Sequence, residues 1–257
     1  MIEHPADIFR HLVQEIAGGT VDETSVTAAE TNLGSDKLAF DCRALGMTWI
    51  ELASRVAYES RANIARRYTS TGTQWALLTA GTDYTFDAPT LSVSDWEPGG
   101  FALVGRRFEQ DLFTRFLFFY FIDTRLGNTS EAFTKLLRVS TAPRESNDVS
   151  TKVATADLQT AEDAFGIHEA TPVDFVCIQD DDTAIDVAGY TVHEIIRRAK
   201  MFAIRGVPWY DGEAYALELG DMRNVTPPWS STAVKCRVIE ITKDASENLE
   251  LRLVEVE

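Results

Sequence analysis

The chain has 257 residues, 45% of them apolar and 25% charged, the balance of a folded protein able to bury a sizeable core in one large domain or two ordinary ones. Its net charge of -16 argues against a nucleic-acid partner held through phosphate contacts and reads as a solubility device. The three cysteines, Cys42, Cys177 and Cys236, are far apart and show neither CxxC nor Cys/His spacing, so no disulfide framework or structural zinc site is expected and each reads as a small buried apolar residue.

The N-terminal stretch MIEHPADIFRHL lacks a basic region followed by an apolar one, so no signal peptide is expected, and the chain is expected to be made in a reducing cytoplasm. Pro5 suits a first helical turn and Asp7 the positive end of a helix. Ile8, Leu12, Val13 and Ile16 keep helical spacing up to a stop at Gly18-Gly19. Residues 22–33 are polar, with a short helix possible over 25–32, and residues 37–43 suit a strand. Thr48 followed by Glu51 is a capping-box pattern. Trp49, Leu52, Ala53, Val56 and Ile64 then predict a helix running to about Arg67.

Strands are predicted over 74–79 and 101–106, around a turn-rich stretch at 81–100. The most apolar segment is FTRFLFFYFID, residues 113–123. Its aromatic residues cannot all point to one face of a strand, so both faces must be covered, by the chain's own core or by a neighbouring subunit. The run is too short to span a bilayer. Phe133, Leu136 and Leu137 suggest a short helix, and residues 141–160, polar and carrying Pro143, read as a long loop. Val173, Phe175, Cys177 and Gln179 alternate as in a strand before the acidic run 180–182.

Thr191 with Glu194 repeats the capping-box pattern, and Val192, Ile195, Ile196, Ala199, Phe202 and Ala203 predict a helix ending at Gly206 and Pro208. Tyr215, Leu217 and Leu219 alternate up to a Gly220-Asp221 turn. Pro227-Pro228 ends the next strand. Val234, Cys236 and Val238 then switch parity to Ile239 and Ile241, which predicts a bulge near 238–239. Residues 244–248 form a polar turn, and Leu249, Leu251 and Leu253 close the chain before a second parity switch at Val254 and Val256.

No catalytic pattern emerges from these elements. His193-Glu194 fails the HExxH zinc motif because Arg197 stands where the second His belongs. The run 180–182 lacks the spaced ligands and central Gly of a calcium loop and reads as a solvated acidic loop. Neither a GxSxG nucleophile nor a phosphate-cradling Gly loop is present. His4, His11 and His168 have no partner pattern. With 40 acidic residues a glycosidase-like carboxylate pair is conceivable, but no spacing singles one out.

Two groups of residues carry a family resemblance. PADIFRHLVQEIAGG, the acidic loop VDETSVTAAE and MTWIELASRVAYESRANI match it through Pro5, Ala6, Asp7, Ile8, Leu12, Gly18, Leu52 and Ala53. The C-terminal group is LELGDMRNVTPP with CRVIEITKD and LELRLVEVE, through Leu217, Leu219, Gly220, Asp221, Val225, Thr226, Val238, Ile239 and Ile241. In this order they resemble modules of tailed-bacteriophage tail-tip and baseplate hub proteins, over somewhat less than half the chain.

The resemblance implies a non-enzymatic structural protein of the virion, without cofactor or metal. Such a protein would join the tail tube to the tip through ring assembly, as a three-fold homo-oligomer in contact with other tail proteins. The rival reading is a tail-associated cell-wall hydrolase using acidic residues. The expected fold class is α+β, with β-rich modules (small antiparallel sheets or barrels) and flanking helices. The expected divisions are a helical or mixed module at 1–70, a β-rich module at 71–140, a loop or linker at 141–170, and a helix with an antiparallel β module at 171–257. Phe116, Phe118, Tyr120 and Ile122 are the candidate subunit interface.

Overall fold

The computed structural model describes residues 3–39, 46–69, 72–79, 90–91, 96–106, 113–121, 134–141, 155–196, 199–208, 217, 219–243 and 248–256. They form an α+β fold. The helices are α1 (Pro5–His11), continued by a π turn at Leu12–Ile16, α2 (Glu23–Leu33), α3 (Trp49–Tyr58), α4 (Thr155–Phe165) and α5 (Asp181–Ile196). The strands are β1 (Ala62–Thr69), β2 (Gly72–Thr79), β3 (Thr90–Leu91), β4 (Phe101–Arg106), β5 (Phe116–Tyr120), β6 (Lys135–Val139), β7 (Val173–Asp174), β8 (Lys200–Pro208), β9 (Met222–Val225), β10 (Val234–Lys243) and β11 (Asn248–Glu255).

Local chemistry sets the helix starts. His4 caps α1 by accepting from the Ala6 amide through Nδ1, and Asp22 caps α2 by accepting from the Thr24 amide. Thr48 and Glu51 complete the capping box of α3. The π turn after α1 changes the residue spacing per turn. Ile16, placed by helical spacing on the apolar face, therefore emerges 59% exposed.

Several sequence-based expectations give way to longer-range pairing. The third helix ends at Tyr58, not near Arg67, because Arg61 turns the chain with a φ of 56° and Ile64 enters β1. Leu136 and Leu137 form a strand rather than a helix, since residues 135–139 pair in register along β5. Residues 155–160 of the expected loop are helical and belong to α4. The helix expected to begin at Thr191 instead begins at Asp181, and Thr191 lies inside it with its hydroxyl donating to the Val187 carbonyl. Ala199, Phe202 and Ala203 do not continue that helix; the last two lie in β8, paired with β11. The expected strand at 173–179 narrows to β7 and a bridge between Ile178 and Leu38. That bridge is the described part of the strand expected over 37–43, and residues 40–45 lie outside the described residues.

The strands form three sheets: β1-β2, β6-β5-β7, and a six-stranded sheet in the order β3-β9-β10-β11-β8-β4. The expected bulge lies at Ile239, where the pairing of β10 with β11 jumps from Val238 to Glu240. A second bulge in β8 lies around Gly206, whose φ is +71° and where a Cβ would come within 2.5 Å of the Glu97 side chain.

One hydrophobic core joins α1, α2, α3 and α5 to β5 and its neighbours, and a second lies on one face of the six-stranded sheet around Phe202, Ile204, Leu251 and Leu253. The Gly220 turn, with a φ of +90°, lies against the β1-β2 hairpin, where an added Cβ would come within 3.5 Å of Leu78 and 3.6 Å of Ala65. There Arg67 pairs with Asp22 and also reaches Asp221 at 3.8 Å.

Within the larger core Arg61, 1% exposed, donates to Asp36 at 2.7 Å. Removing one partner of a buried ion pair strands the other charge away from water. Asp36→Ala is therefore expected to lower folding stability by roughly 3–5 kcal/mol, measured by urea unfolding; a loss near zero would show that Arg61 finds another partner.

Candidate functional site

Strand β5 was the sequence candidate for a subunit contact. Phe116, Phe118 and Tyr120 point to one face and are buried within the chain's own larger core. Phe118 stacks on Phe175 at 5.1 Å and on Phe116 at 6.2 Å, and the Tyr120 hydroxyl donates to Asp181 at 3.1 Å. The opposite face, Leu117 and Phe119, is half-buried. Ile122 lies outside the described residues. In the folded chain the rings of Phe116, Phe118 and Tyr120 already have partners, while Phe121 is 37% exposed and Leu136, opposite Phe119 on β6, 40%.

Exposed apolar residues also lie at the edge of the six-stranded sheet. Strand β4 is the last in the order and pairs only with β8 among the described residues. Its Leu103 is 45% exposed and its Val104 56%. Val104 is the extra residue of a bulge, because the pairing with β8 passes from Leu103 to Gly105. Two residues before Leu103 on the same face, Phe101 meets Trp229 edge-on at 5.3 Å, and Trp229 is itself 62% exposed. The sequence Phe-Ala-Leu-Val-Gly at 101–105 carries no charge; Arg106 ends the strand, and the bulge at Val104 is one of the devices by which natural sheets blunt an edge. Sequence reasoning found the strand but not this role, since being an edge is a property of the sheet order.

A cluster of buried charge lies at the end of α3. Glu59 is 0% exposed; its carboxylate accepts from the amides of Val176 at 3.0 Å and Cys177 at 2.8 Å, and lies 2.5 Å from the Arg55 Nε. Burial pushes its pKa up to about 7, against the lowering pull of Arg55 and of the two amides. A carboxyl raised this far resembles a general acid, but a group sealed from solvent and engaged by three donors reaches no substrate. A cleft of about 570 Å³ opens beside it, lined by residues including Met47, Ile50, Arg55 and Tyr58. The acid on that lining, Glu51, is committed to the capping box with Thr48.

The acidic run also has local roles. Asp180 accepts from the Thr183 amide and hydroxyl at the start of α5, and Asp181 is held by Lys135 at 2.5 Å. These contacts hold Asp181 below the usual carboxylate range, the Lys135 hydrogen bond contributing most. Among the described residues no group of three or more His, Cys, Asp or Glu side chains converges as metal ligands would. Cys177 and Cys236 are buried free thiols, and Cys42 lies outside the described residues. His4 caps α1, and the His168 Nε2 lies 2.7 Å from the Phe165 carbonyl. Among the described residues no helix is long and apolar enough to cross a membrane.

No protein-family model matches the chain, and no curated protein is significantly similar to it. Among the solved structures that resemble it are the following two. One is a prophage tail protein, gp18, from Listeria monocytogenes EGD-e, with 10% identity and a TM-score of 0.39 over 80% of this chain and 52% of that one. The other is a tail protein from Neisseria meningitidis MC58, with 11% identity and a TM-score of 0.43 over 86% of this chain and 57% of that one. The chain thus spans just over half the length of each.

Burial of β5 has a direct consequence. Phe118→Ala removes a fully buried ring and is expected to destabilise the fold by about 3–5 kcal/mol, measured by chemical denaturation. A variant as stable as the wild type yet unable to associate would restore β5 as a contact surface.

Proposed function

We propose that this chain is a structural protein of a phage tail, a tip or baseplate hub component that closes a three-fold ring through the edges of its six-stranded sheet. The observation that carries this reading is the exposed apolar side chains of β4, which pairs only with β8 among the described residues. An edge strand presents unpaired backbone N–H and C=O groups that another strand can complete, and exposed Leu103, Val104 and Trp229 supply apolar area around them. Patches of this kind mark association sites more often than they mark ordinary surface.

The charge distribution agrees with the same face. Residues 1–60 and 141–199, which contain all the described helices, hold 22 acidic and 8 basic residues, and the remainder of the chain 18 acidic and 16 basic. The stretches that carry the six-stranded sheet are thus nearly balanced in charge, which lowers the electrostatic cost of bringing copies together there. The order of the two motif groups, helices first and the Gly220-Asp221 turn with its strands last, supports the tail-hub assignment over a generic self-associating protein. A cell-wall hydrolase is disfavoured because Glu59, the carboxyl raised towards neutrality, is sealed inside the fold.

Light scattering tests the proposal. The wild-type chain should show a mass three times that of its monomer, and the double variant Leu103→Lys with Val104→Lys should run as a folded monomer with an unchanged circular dichroism spectrum. A wild type that stays monomeric at the highest attainable concentration, or a double variant that still assembles, would overturn the edge contact. Clearing of a cell-wall suspension by the purified chain would favour the hydrolase.

A further inference from the structure

The chain passes between its two cores three times. The elements from α1 to β2 and from β5 to α5 belong with the larger core, whereas the six-stranded sheet takes β3 and β4 from between them and β8 to β11 from the end of the chain. Among the described residues the two cores have none in common. Apolar contact across the boundary includes the Gly220 turn lying against the β1-β2 hairpin, and Tyr190 of α5 packing on Met222 and Val256. At the same turn, four side chains of alternating charge cross the boundary in a row: Asp22, Arg67, Asp221 and Arg223.

Each end of this row is anchored on its own side. Asp22 caps α2 by accepting from the Thr24 amide, and its own amide donates to the Trp75 carbonyl of β2 at 2.8 Å. Asp221 is fixed to the sheet: its carbonyl accepts from the Val238 amide at 2.8 Å, and the Gly220 amide donates to the Val238 carbonyl at 2.9 Å. Arg223 donates to the Asp221 carboxylate at 3.1 Å. Arg67 on β1 joins the two sides, since its Nη1 pairs with Asp22 and its Nη2 lies 3.8 Å from Asp221. We propose that Arg67 is an electrostatic clasp: shared between Asp22 and Asp221, it sets the orientation of the six-stranded sheet against the helical core, and releasing it lets the sheet turn as a unit. Nothing in the tail reading is needed for this inference.

Two carboxylates beside one guanidinium are held together through it and repel each other without it. The opened arrangement is tolerable elsewhere in the fold. Asp22 keeps its place as a helix cap, and Asp221 keeps Arg223, so the buried carboxylate on the sheet is not left without a cation. The Arg67 side chain is 35% exposed, so water and salt reach the crossing pair, whereas Asp221 and Arg223 are buried. A partly exposed pair contributes little to the stability of a whole fold. It suffices, however, to choose between orientations of two parts that each carry their own core, because that choice turns on a small difference in free energy.

Pulsed electron-spin resonance on the full chain decides the matter. Spin labels at Thr27→Cys on α2 and Thr242→Cys on β10, both exposed positions, read a distance across the boundary. Labels at Thr27→Cys and Asp182→Cys on α5 read one within the helical part. Cys42→Ser is present throughout, Cys177 and Cys236 being buried, and dilution with unlabelled chain restricts the reading to single copies. With Arg67 in place each pair should give one narrow distance. Arg67→Gln should broaden or shift the Thr27–Thr242 distance and leave Thr27–Asp182 as it was. An unchanged Thr27–Thr242 distance in that variant, equal broadening of both pairs, or a cross-boundary distance already broad with Arg67 present would overturn the clasp. Should Arg67→Gln fail to fold, salt takes its place: about 1 M sodium chloride, where the screening length is roughly 3 Å, should broaden the Thr27–Thr242 distance alone, and no change would overturn the proposal.

Discussion

The turn from α3 into β1 fixes the larger core. Within three residues it carries Glu59 and Arg61, both buried, and each holds a different crossing segment: Glu59 the backbone at 176–177, Arg61 the side chain of Asp36. Those two segments then run together, through the Leu38–Ile178 bridge and the bond from the Ala39 amide to the Cys177 carbonyl. Buried charges are expensive unless each finds its partner. They consequently admit few alternative arrangements of the chain, where apolar contacts alone would admit several. Arg61 adopts a left-handed φ of 56°, a conformation that costs a non-glycine residue about 1–2 kcal/mol, and the surrounding bonds hold it there.

With that turn in place, the division of apolar surface follows. The aromatic strand β5 lies between β6 and β7 and turns its rings into the core, so the most hydrophobic stretch of the sequence serves the fold itself. Among the described residues, Trp96, Leu217 and Phe101 help close one face of the six-stranded sheet, and Leu103, Val104, Trp229 and Ile239 are its exposed apolar residues. Under the proposed assembly, fold and contact surface draw on separate residues, and a substitution at the sheet edge need not disturb the core.

Much of this was legible locally. The cap at Thr48, the helix start at Pro5, the strands at 74–79 and 101–106, the end of β9 before Pro227 and the bulge at Ile239 all depend on neighbours within a few residues, and the pattern alone places them. Elements decided by distant partners were misplaced. Leu136-Leu137 suits a helix as well as a strand until β5 pairs with it, and the Val192–Ala203 spacing conceals the change from α5 to β8. The Asp180–Asp182 run looked like a loop because its role as a helix start depends on Asp180 capping Thr183. The β5 aromatics were marked as needing cover on both faces; the chain's own core covers Phe116, Phe118 and Tyr120, and periodicity does not show that this cover comes from the same chain. The edge position of β4 could not be read from sequence, because sheet order is set by the whole topology.

The most direct measurement is hydrogen exchange followed from dilute to concentrated chain, read strand by strand. If copies join through the sheet edge, amides of β4 that face away from β8 gain protection as the mass rises, while those of β5 are protected equally at every concentration. Protection that grows in β5, with β4 unchanged, would contradict the division between core strand and contact strand.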